Sequence, residues 1–168
     1  MVTILGIDPG LRHTGWGVIN SSGNSVSFIS CGVIKSNSSD NISTRLRQIH
    51  DGIIKIADLY NPYEASVEET FVNKNNASSL KLGQARGAIL LTLGLRDIVV
   101  CEYSANFVKK SVVGVGHADK NQVAMMVKRL LPESDAVAVD ASDALAVAIC
   151  HAHRRDFNNI KNNNMVMT

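Results

Sequence analysis

The chain has 168 residues and a mass of 18.1 kDa, which is the size of one ordinary domain. Hydrophobic residues make up 45% of it and charged residues 19%, a balance that excludes a largely disordered chain. The N-terminus lacks the basic leader of a signal peptide, and no apolar stretch approaches the ~20 residues that span a bilayer. We therefore expect a cytoplasmic protein that makes no membrane contact.

The formal net charge of +2 conceals an uneven distribution of charge along the chain. Residues 70–131 hold nine Lys and Arg against three acids, whereas the flanking segments together hold eight against twelve. Such a basic segment is suited to a surface that contacts phosphates, although ordinary solvated helix faces have the same composition.

The first half of the chain has the pattern of strands around one helix. Four apolar or alternating segments are bounded by turn residues and predict strands at 2–8, 14–20, 26–34 and 64–69. Isoleucine and leucine recur at three- and four-residue steps over 42–60, which predicts an amphipathic helix ended by Asn61-Pro62. Residues 71–79 have the composition of an exposed loop.

The second half alternates between helix and strand. The patterns predict helices at about 79–95, 104–112, 119–131 and 141–154, and a buried strand at 98–101. The predicted order is three strands, one helix, and then strands that alternate with helices. This order predicts an α/β fold in which helices cover the faces of a mixed sheet. We expect a single domain over residues 1–156 and a disordered, asparagine-rich tail over residues 157–168.

Acidic residues follow two of the predicted strands. Asp8 ends the first strand, at the carboxyl edge of the sheet, where open α/β folds usually bind ligands, although Asp-Pro-Gly is also a good turn sequence. Glu68 and Glu69 end the fourth strand, and because side chains alternate across a strand, only one of them shares a face with Asp8. The pattern alone does not choose between the two glutamates.

A second acidic pair begins the last predicted helix. Asp140 and Asp143 are three residues apart, which places them on one helix face with Cβ atoms about 5 to 6 Å apart. One metal ion could bridge them, but the pair taken alone favours helix capping, with Asp140 as N-cap and Asp143 in the first turn. A stripe of small residues that includes Ala144 and Ala148 would let this helix lie close to the sheet. Acids converging there would repel one another unless hard cations such as Mg²⁺ or Mn²⁺ were bound.

Five motifs together, in this order and spacing, resemble the RuvC family of Holliday junction resolvases over about residues 3–153. They are Gly6-Ile7-Asp8-Pro9-Gly10, Thr14-Gly15-Trp16-Gly17, Glu68 with Phe71, Lys81-Leu82-Gly83-Gln84-Ala85-Arg86-Gly87, and Asp140-Ala141-Ser142-Asp143-Ala144-Leu145. The resemblance favours Glu68 over Glu69. It implies a ribonuclease H-like fold, with a mixed five-stranded sheet flanked by helices.

The resemblance also implies the chemistry. Asp8, Glu68, Asp140 and Asp143 look like the catalytic tetrad of the family, which would bind two Mg²⁺ ions, with Mn²⁺ as a substitute. The expected enzyme is a metal-dependent crossover junction endodeoxyribonuclease of homologous recombination and DNA repair. It would make paired symmetric nicks near the crossover and leave 5′-phosphate and 3′-hydroxyl ends.

The resemblance implies contacts with four-way junction DNA and with protein partners. The residues expected to contact DNA are Phe71, which would stack on a base, and the basic residues Lys74, Lys81, Arg86, Lys109 and Lys120. A homodimer is expected, with Gly83 and Gly87 near the two-fold interface, because paired nicks need two equivalent sites. A branch-migration complex of the RuvA and RuvB type is the expected partner.

Other interpretations make different demands on the sequence. An actin-like or sugar-kinase-like ATPase would need a second domain, for which 168 residues are too few. A resolvase of the YqgF type could use similar acids, but the Lys81–Gly87 block and Phe71 favour RuvC. A binding module without cleavage would be expected to lack one of the four acids. His151 and His153 lie two apart, so they do not face each other as zinc ligands would, and with Arg154 and Arg155 they are expected to complement a helix C-terminus.

Overall fold

The computed structural model of the chain describes residues 1–69, 76–134 and 139–165, the part beyond residue 155 by its backbone alone. The described strands are β1 (Val2–Asp8), β2 (His13–Ser22), β3 (Ser25–Lys35), β4 (Glu64–Glu68) and β5 (Val99–Tyr103). The described helices are α1 (Ile42–Tyr60), α2 (Asn76–Gly94), α3 (Ala105–Val113), α4 (Lys120–Leu130) and α5 (Val139–Met165). No helix in these ranges is both long and apolar enough to cross a bilayer.

The strands form one mixed sheet in the order β3-β2-β1-β4-β5, which confirms the predicted five-stranded arrangement. β1 pairs antiparallel with β2, and it pairs parallel with β4, which is itself parallel to β5. Ile7 lies beside Val67 in the parallel pair, so β1 and β4 end one residue later at the same edge. The chain therefore brings Asp8 and Glu68 together at the carboxyl edge of neighbouring strands.

Two hydrophobic cores lie on opposite faces of the sheet, because alternate residues of each strand point to opposite sides. On one face, Leu5 of β1 packs with residues of α1 and α2, including Ile53 and Ile89. On the other face, Ile4 packs with residues of α3, α4 and α5, including Leu145. The helices that reach the Asp8 edge belong to this second face.

Helix α5 lies directly against the backbone of the sheet. A Cβ atom at Gly6 would overlap the carbonyl oxygen of Ala144 and press on Ala148, and one at Gly17 would press on Leu145. The close packing predicted from the small residues of α5 is therefore confirmed. A Cβ at Gly15 would overlap the backbone of Asp140, so the first turn of α5 sits at the end of β1 and the start of β2.

Some helix boundaries differ from those predicted. Helix α2 begins at Asn76, so the last part of the loop predicted over 71–79 is helical. A 3-10 helix at Pro132–Ser134 was not predicted at all. Helix α5 begins at Val139, which makes Asp140 its second residue and not its N-cap. It continues to Met165, well past residue 154, into the segment 157–168 whose disorder in solution stays a prediction.

A hydrogen-bonded chain of side chains joins the middle of α5 to the sheet. Tyr103 Oη lies 2.8 Å from His151 Nδ1, and His151 Nε2 lies 2.8 Å from a carboxylate oxygen of Glu64. Arg155 Nε donates to the other carboxylate oxygen at 2.8 Å. The expectation that His151 and Arg155 complement a helix C-terminus is wrong, because the helix continues and both side chains are engaged with β4 and β5.

Candidate active site

A cavity of about 300 Å³ opens at the carboxyl edge of β1 and β4. Its lining residues are Asp8, Glu68, Ala105, Val108, Lys109, Lys120, Val123, Asp143 and Ala146. Three of the four acids predicted from the sequence therefore share one cavity with two of the predicted basic residues.

Secondary structure fixes the position of each charged group in this cavity. Asp8 and Glu68 are the last residues of adjacent strands, and Asp143 lies in the first turns of α5. Lys120 is the first residue of α4, which follows an Asp119 capping box, and Lys109 lies on α3. The charged groups are thus held by five different elements of the same domain.

Asp140 lies beside the cavity and does not line it. Its side chain is 45% exposed, and Asp140 Oδ2 lies 4.0 Å from Nδ1 of His13. His13 was not among the residues predicted from the sequence. Its position could have been predicted, because a short turn after Asp8 returns the chain to the same sheet edge, where His13 is the first residue of β2.

The carboxylate of Asp8 is difficult to ionise in this environment. Burial, followed by repulsion from Glu68, Asp143 and Asp140, raises the pKa of Asp8 from 3.8 to about 7. Lys120 opposes this effect but does not cancel it. Near neutral pH, Asp8 is therefore present in both its protonated and its ionised form when no cation is bound.

The same interactions act on the other charged groups of the cavity. Burial and then Asp143 raise the pKa of Glu68, and the two lysines, Lys109 and Lys120, reduce that rise. Lys120 Nζ lies 3.3 Å from Asp143 Oδ2, and this carboxylate raises the pKa of Lys120. The acids are thus short of compensating positive charge, and Lys120 supplies part of what is needed.

The donor set fits a hard divalent cation. Carboxylate oxygens are the ligands preferred by Mg²⁺ and Mn²⁺, and a bound cation would remove the repulsion that raises the pKa of Asp8. As placed, no three acidic, histidine or cysteine side chains in the described ranges form a ready coordination group. Lys120, held on Asp143, competes with a cation for that carboxylate.

The other predicted site residues lie apart from this cavity or outside the description. Glu69 is exposed and does not line the cavity, which agrees with the choice of Glu68. Lys81 is exposed on α2, whereas the guanidinium of Arg86 is paired with Glu102 of β5. Phe71 and Lys74 lie outside the described residues. The DNA contacts predicted for all of these side chains stay predictions.

Residues 4–151 match the family model described as crossover junction endodeoxyribonuclease RuvC. The chain belongs to the RuvC family. Relatives with that name include a protein of Afipia carboxidovorans, 54% identical over 92% of this chain and 90% of its own length. Another, from Rhodospirillum rubrum, is 54% identical over 90% of each chain.

Solved structures agree with this assignment to RuvC. T. thermophilus RuvC in complex with a Holliday junction substrate superposes with a TM-score of 0.87 and 30% identity, covering 94% of this chain and 97% of its own. The yeast mitochondrial Holliday junction resolvase shares the fold, with a TM-score of 0.68 at 12% identity over 98% of this chain and 86% of its own. The ribonuclease H-like fold predicted for this RuvC-family chain is confirmed.

Proposed function

We propose that this RuvC-family chain resolves Holliday junctions by metal-dependent hydrolysis of phosphodiester bonds. The observation that carries the proposal is the cavity in which Asp8, Glu68 and Asp143 meet two lysines at the sheet edge. The similarity to an RuvC structure that holds a Holliday junction supports four-way junction DNA as the substrate. We propose that the protein acts in homologous recombination and DNA repair, and that it does so in the cytoplasm.

The four acids have the role of holding divalent cations in this proposal. Nucleases of this family are metal-dependent, and we propose two Mg²⁺ ions per site, replaceable by Mn²⁺, held by Asp8, Glu68, Asp140 and Asp143. When bound, such ions supply an activated water nucleophile and stabilise the leaving 3′ oxygen, so that 5′-phosphate and 3′-hydroxyl ends result.

The two lysines of the cavity are suited to binding a phosphate of the DNA backbone. Lys109 and Lys120 place positive charge on the wall of the cavity, where it attracts and orients the DNA backbone. Its raised pKa lets Asp8 retain a proton, which a bound cation would displace, so cation binding and deprotonation of Asp8 would be coupled. Lys120 can leave Asp143 for the phosphate once the cation compensates that carboxylate.

A second copy of the chain is the proposed occupant of an apolar groove between α1 and α2. The groove is lined by residues that include Leu46, Leu91 and Leu95, and the last two are 64% and 68% exposed. A Cβ at Gly83 or Gly87 of α2 would meet nothing within 4 Å, so contacts inside the chain do not explain these glycines. A two-fold dimer through α2 would present two equivalent sites for paired nicks. We further propose a RuvA–RuvB-type complex as its partner.

Cleavage of a labelled synthetic four-way junction tests the activity. Wild-type protein and Asp8→Asn are compared on the junction and on linear duplex of the same sequence, with Mg²⁺ or with EDTA. We expect symmetric nicks in the junction alone, dependent on Mg²⁺, and lost in the variant while binding persists. Binding without cleavage in any divalent metal would reduce the protein to a binding module, and absence of binding would refute the proposal.

Sedimentation of Leu91→Glu tests the dimer. A glutamate buried in the proposed interface should prevent dimerisation, so the protein should sediment as a monomer. Its nicks in the junction should then be single and uncoordinated. Leu59→Glu is the matched control, because Leu59 is 72% exposed on α1 and does not line the groove. A Leu91→Glu protein that remains dimeric at the same concentration as the control would contradict the proposed interface.

A further inference from the structure

A second cavity, of about 340 Å³, lies between α3 and α5. It is lined by Phe107, Lys110, Ser111, His153 and Arg154. Helix α3 separates it from the active-site cavity, because residues 105, 108 and 109 line one cavity and residues 107, 110 and 111 line the other. The two cavities are therefore distinct, although they share a helix.

An aromatic ring held in a fixed orientation forms part of this second cavity. Phe107 stacks on Tyr103, with ring centroids 5.7 Å apart and an angle of 12° between the planes. Tyr103 is itself held by its hydrogen bond to His151. Phe107 nevertheless remains 41% exposed, so part of an immobilised ring is open to a ligand.

The charged residues described around this ring are basic. Lys110 and Arg154 are exposed, and neither makes an ion pair among the side chains that the structure describes. His153 is also exposed, and none of the described residues that line the cavity is acidic. An aromatic face flanked by two unpaired cations is the combination that binds single-stranded nucleic acid, through base stacking and phosphate contacts.

We infer that this second cavity binds an unpaired segment of a DNA strand, with a base on Phe107 and phosphates against Lys110 and Arg154. The inference rests on the proposed function, because a junction bound at the active site brings DNA strands to this side of the protein. Asp143 and Arg154 are eleven residues apart on α5, which at 1.5 Å per residue is roughly 16 Å. At the 3.4 Å spacing of a stacked strand, this distance spans at most roughly five nucleotides, so the contact lies a few nucleotides away from the phosphate at the active site.

Photo-crosslinking tests the stacking contact directly. The full chain, in EDTA, is irradiated with a fluorescein-labelled oligothymidylate that carries one 5-iododeoxyuridine, and the crosslinked peptide is identified by mass spectrometry. We expect the crosslink on Phe107. A crosslink that maps only to other residues would overturn the inference.

Anisotropy titrations with the same oligonucleotide test the energetics. Phe107→Ala should weaken binding by at least about fivefold. Phe107→Leu, which preserves packing on Tyr103, should also weaken it, so that loss of folding is not the explanation. Lys110→Ala and Arg154→Ala should each lower the slope of log affinity against log salt by about one. The control is Lys55→Ala, an exposed lysine of α1 on the other face of the sheet.

The outcomes separate this inference from the proposed function. If the wild type cuts junctions but the Phe107 and Arg154 variants bind the oligonucleotide like the control, the inference is wrong and the function stands. If the oligonucleotide is bound through Phe107 while junctions are never cut, the cavity stands and the proposed function fails. Competition by thymidine monophosphate at the concentration of the oligonucleotide would show that the occupant is a free nucleotide, which would refute the strand assignment.

Discussion

Replacing Asp8 by asparagine is expected to stabilise the metal-free protein at pH 8. Burial and the neighbouring carboxylates raise the pKa of Asp8 from 3.8 in an exposed chain to about 7 in the folded protein. Between these values the folded state binds the proton more tightly than the unfolded state, so the free energy of unfolding falls as pH rises. At about 1.4 kcal/mol per pH unit, an ionised Asp8 costs roughly 4 kcal/mol above pH 7. Asn removes the charge, and we expect it to recover about 2 to 4 kcal/mol.

Urea unfolding in EDTA at equal protein concentrations measures this gain, with the fluorescence of Trp16 as the probe. Trp16 is the single tryptophan of the chain and packs on Tyr60 with ring centroids 5.9 Å apart. The gain should be nearly complete at pH 8 and much smaller at pH 5. Asp51→Asn is the control, because Asp51 is an exposed acid of α1. A gain at pH 8 no larger than that of the control, or an equal gain at pH 5, would refute the reasoning.

Three further changes follow from contacts described above. Gly6→Ala should destabilise the protein by at least about 2 kcal/mol in urea unfolding, because the added Cβ would overlap a backbone oxygen of α5 that side-chain motion cannot relieve. Burial lowers the pKa of His151, so the unfolded state binds a proton more readily than the folded state. The free energy of unfolding should therefore decrease as the pH is lowered through about 6.5. A His151→Gln protein whose stability has the same pH dependence would contradict this. Lys120→Ala removes a positive charge that lowers the pKa of Asp8, so Asp8→Asn should stabilise the Lys120→Ala protein at pH 8 more than it stabilises the wild type. Additive effects in the double-mutant cycle would exclude this coupling between Lys120 and Asp8.

The elements that the sequence predicted well are those with a clear local pattern and a clear stop. Strand β1 and helix α1 have the predicted bounds. Each is ended by residues that cannot continue it: Pro9-Gly10 follows β1, and Asn61, in the left-handed conformation at φ 47°, precedes Pro62 after α1. Asp8 could be placed at the carboxyl edge of the sheet because it ends a clearly bounded strand, whereas the choice of Glu68 over Glu69 came from the family resemblance.

The features that sequence patterns missed depend on contacts between distant segments. His151 meets Glu64 and Tyr103, which are 87 and 48 positions away, so its burial follows from how α5 crosses the sheet. Arg86 pairs with Glu102 because of the way α2 covers β5, and its DNA contact, which the resemblance implies, stays a prediction. Neither pairing has a local signal, since each requires the packed structure.

The contact between Gly6 and Ala148 also fixes the number of residues of α5 that separate this contact from the two aspartates. From Ala148 back to Asp140 is eight residues, or about two turns of helix. A single residue inserted between Asp143 and Ala148 would rotate both Asp140 and Asp143 by about 100° around the helix axis and shift them by about 1.5 Å, away from Asp8 and Glu68. An insertion or deletion there would therefore separate the acids even if every residue of the site were kept.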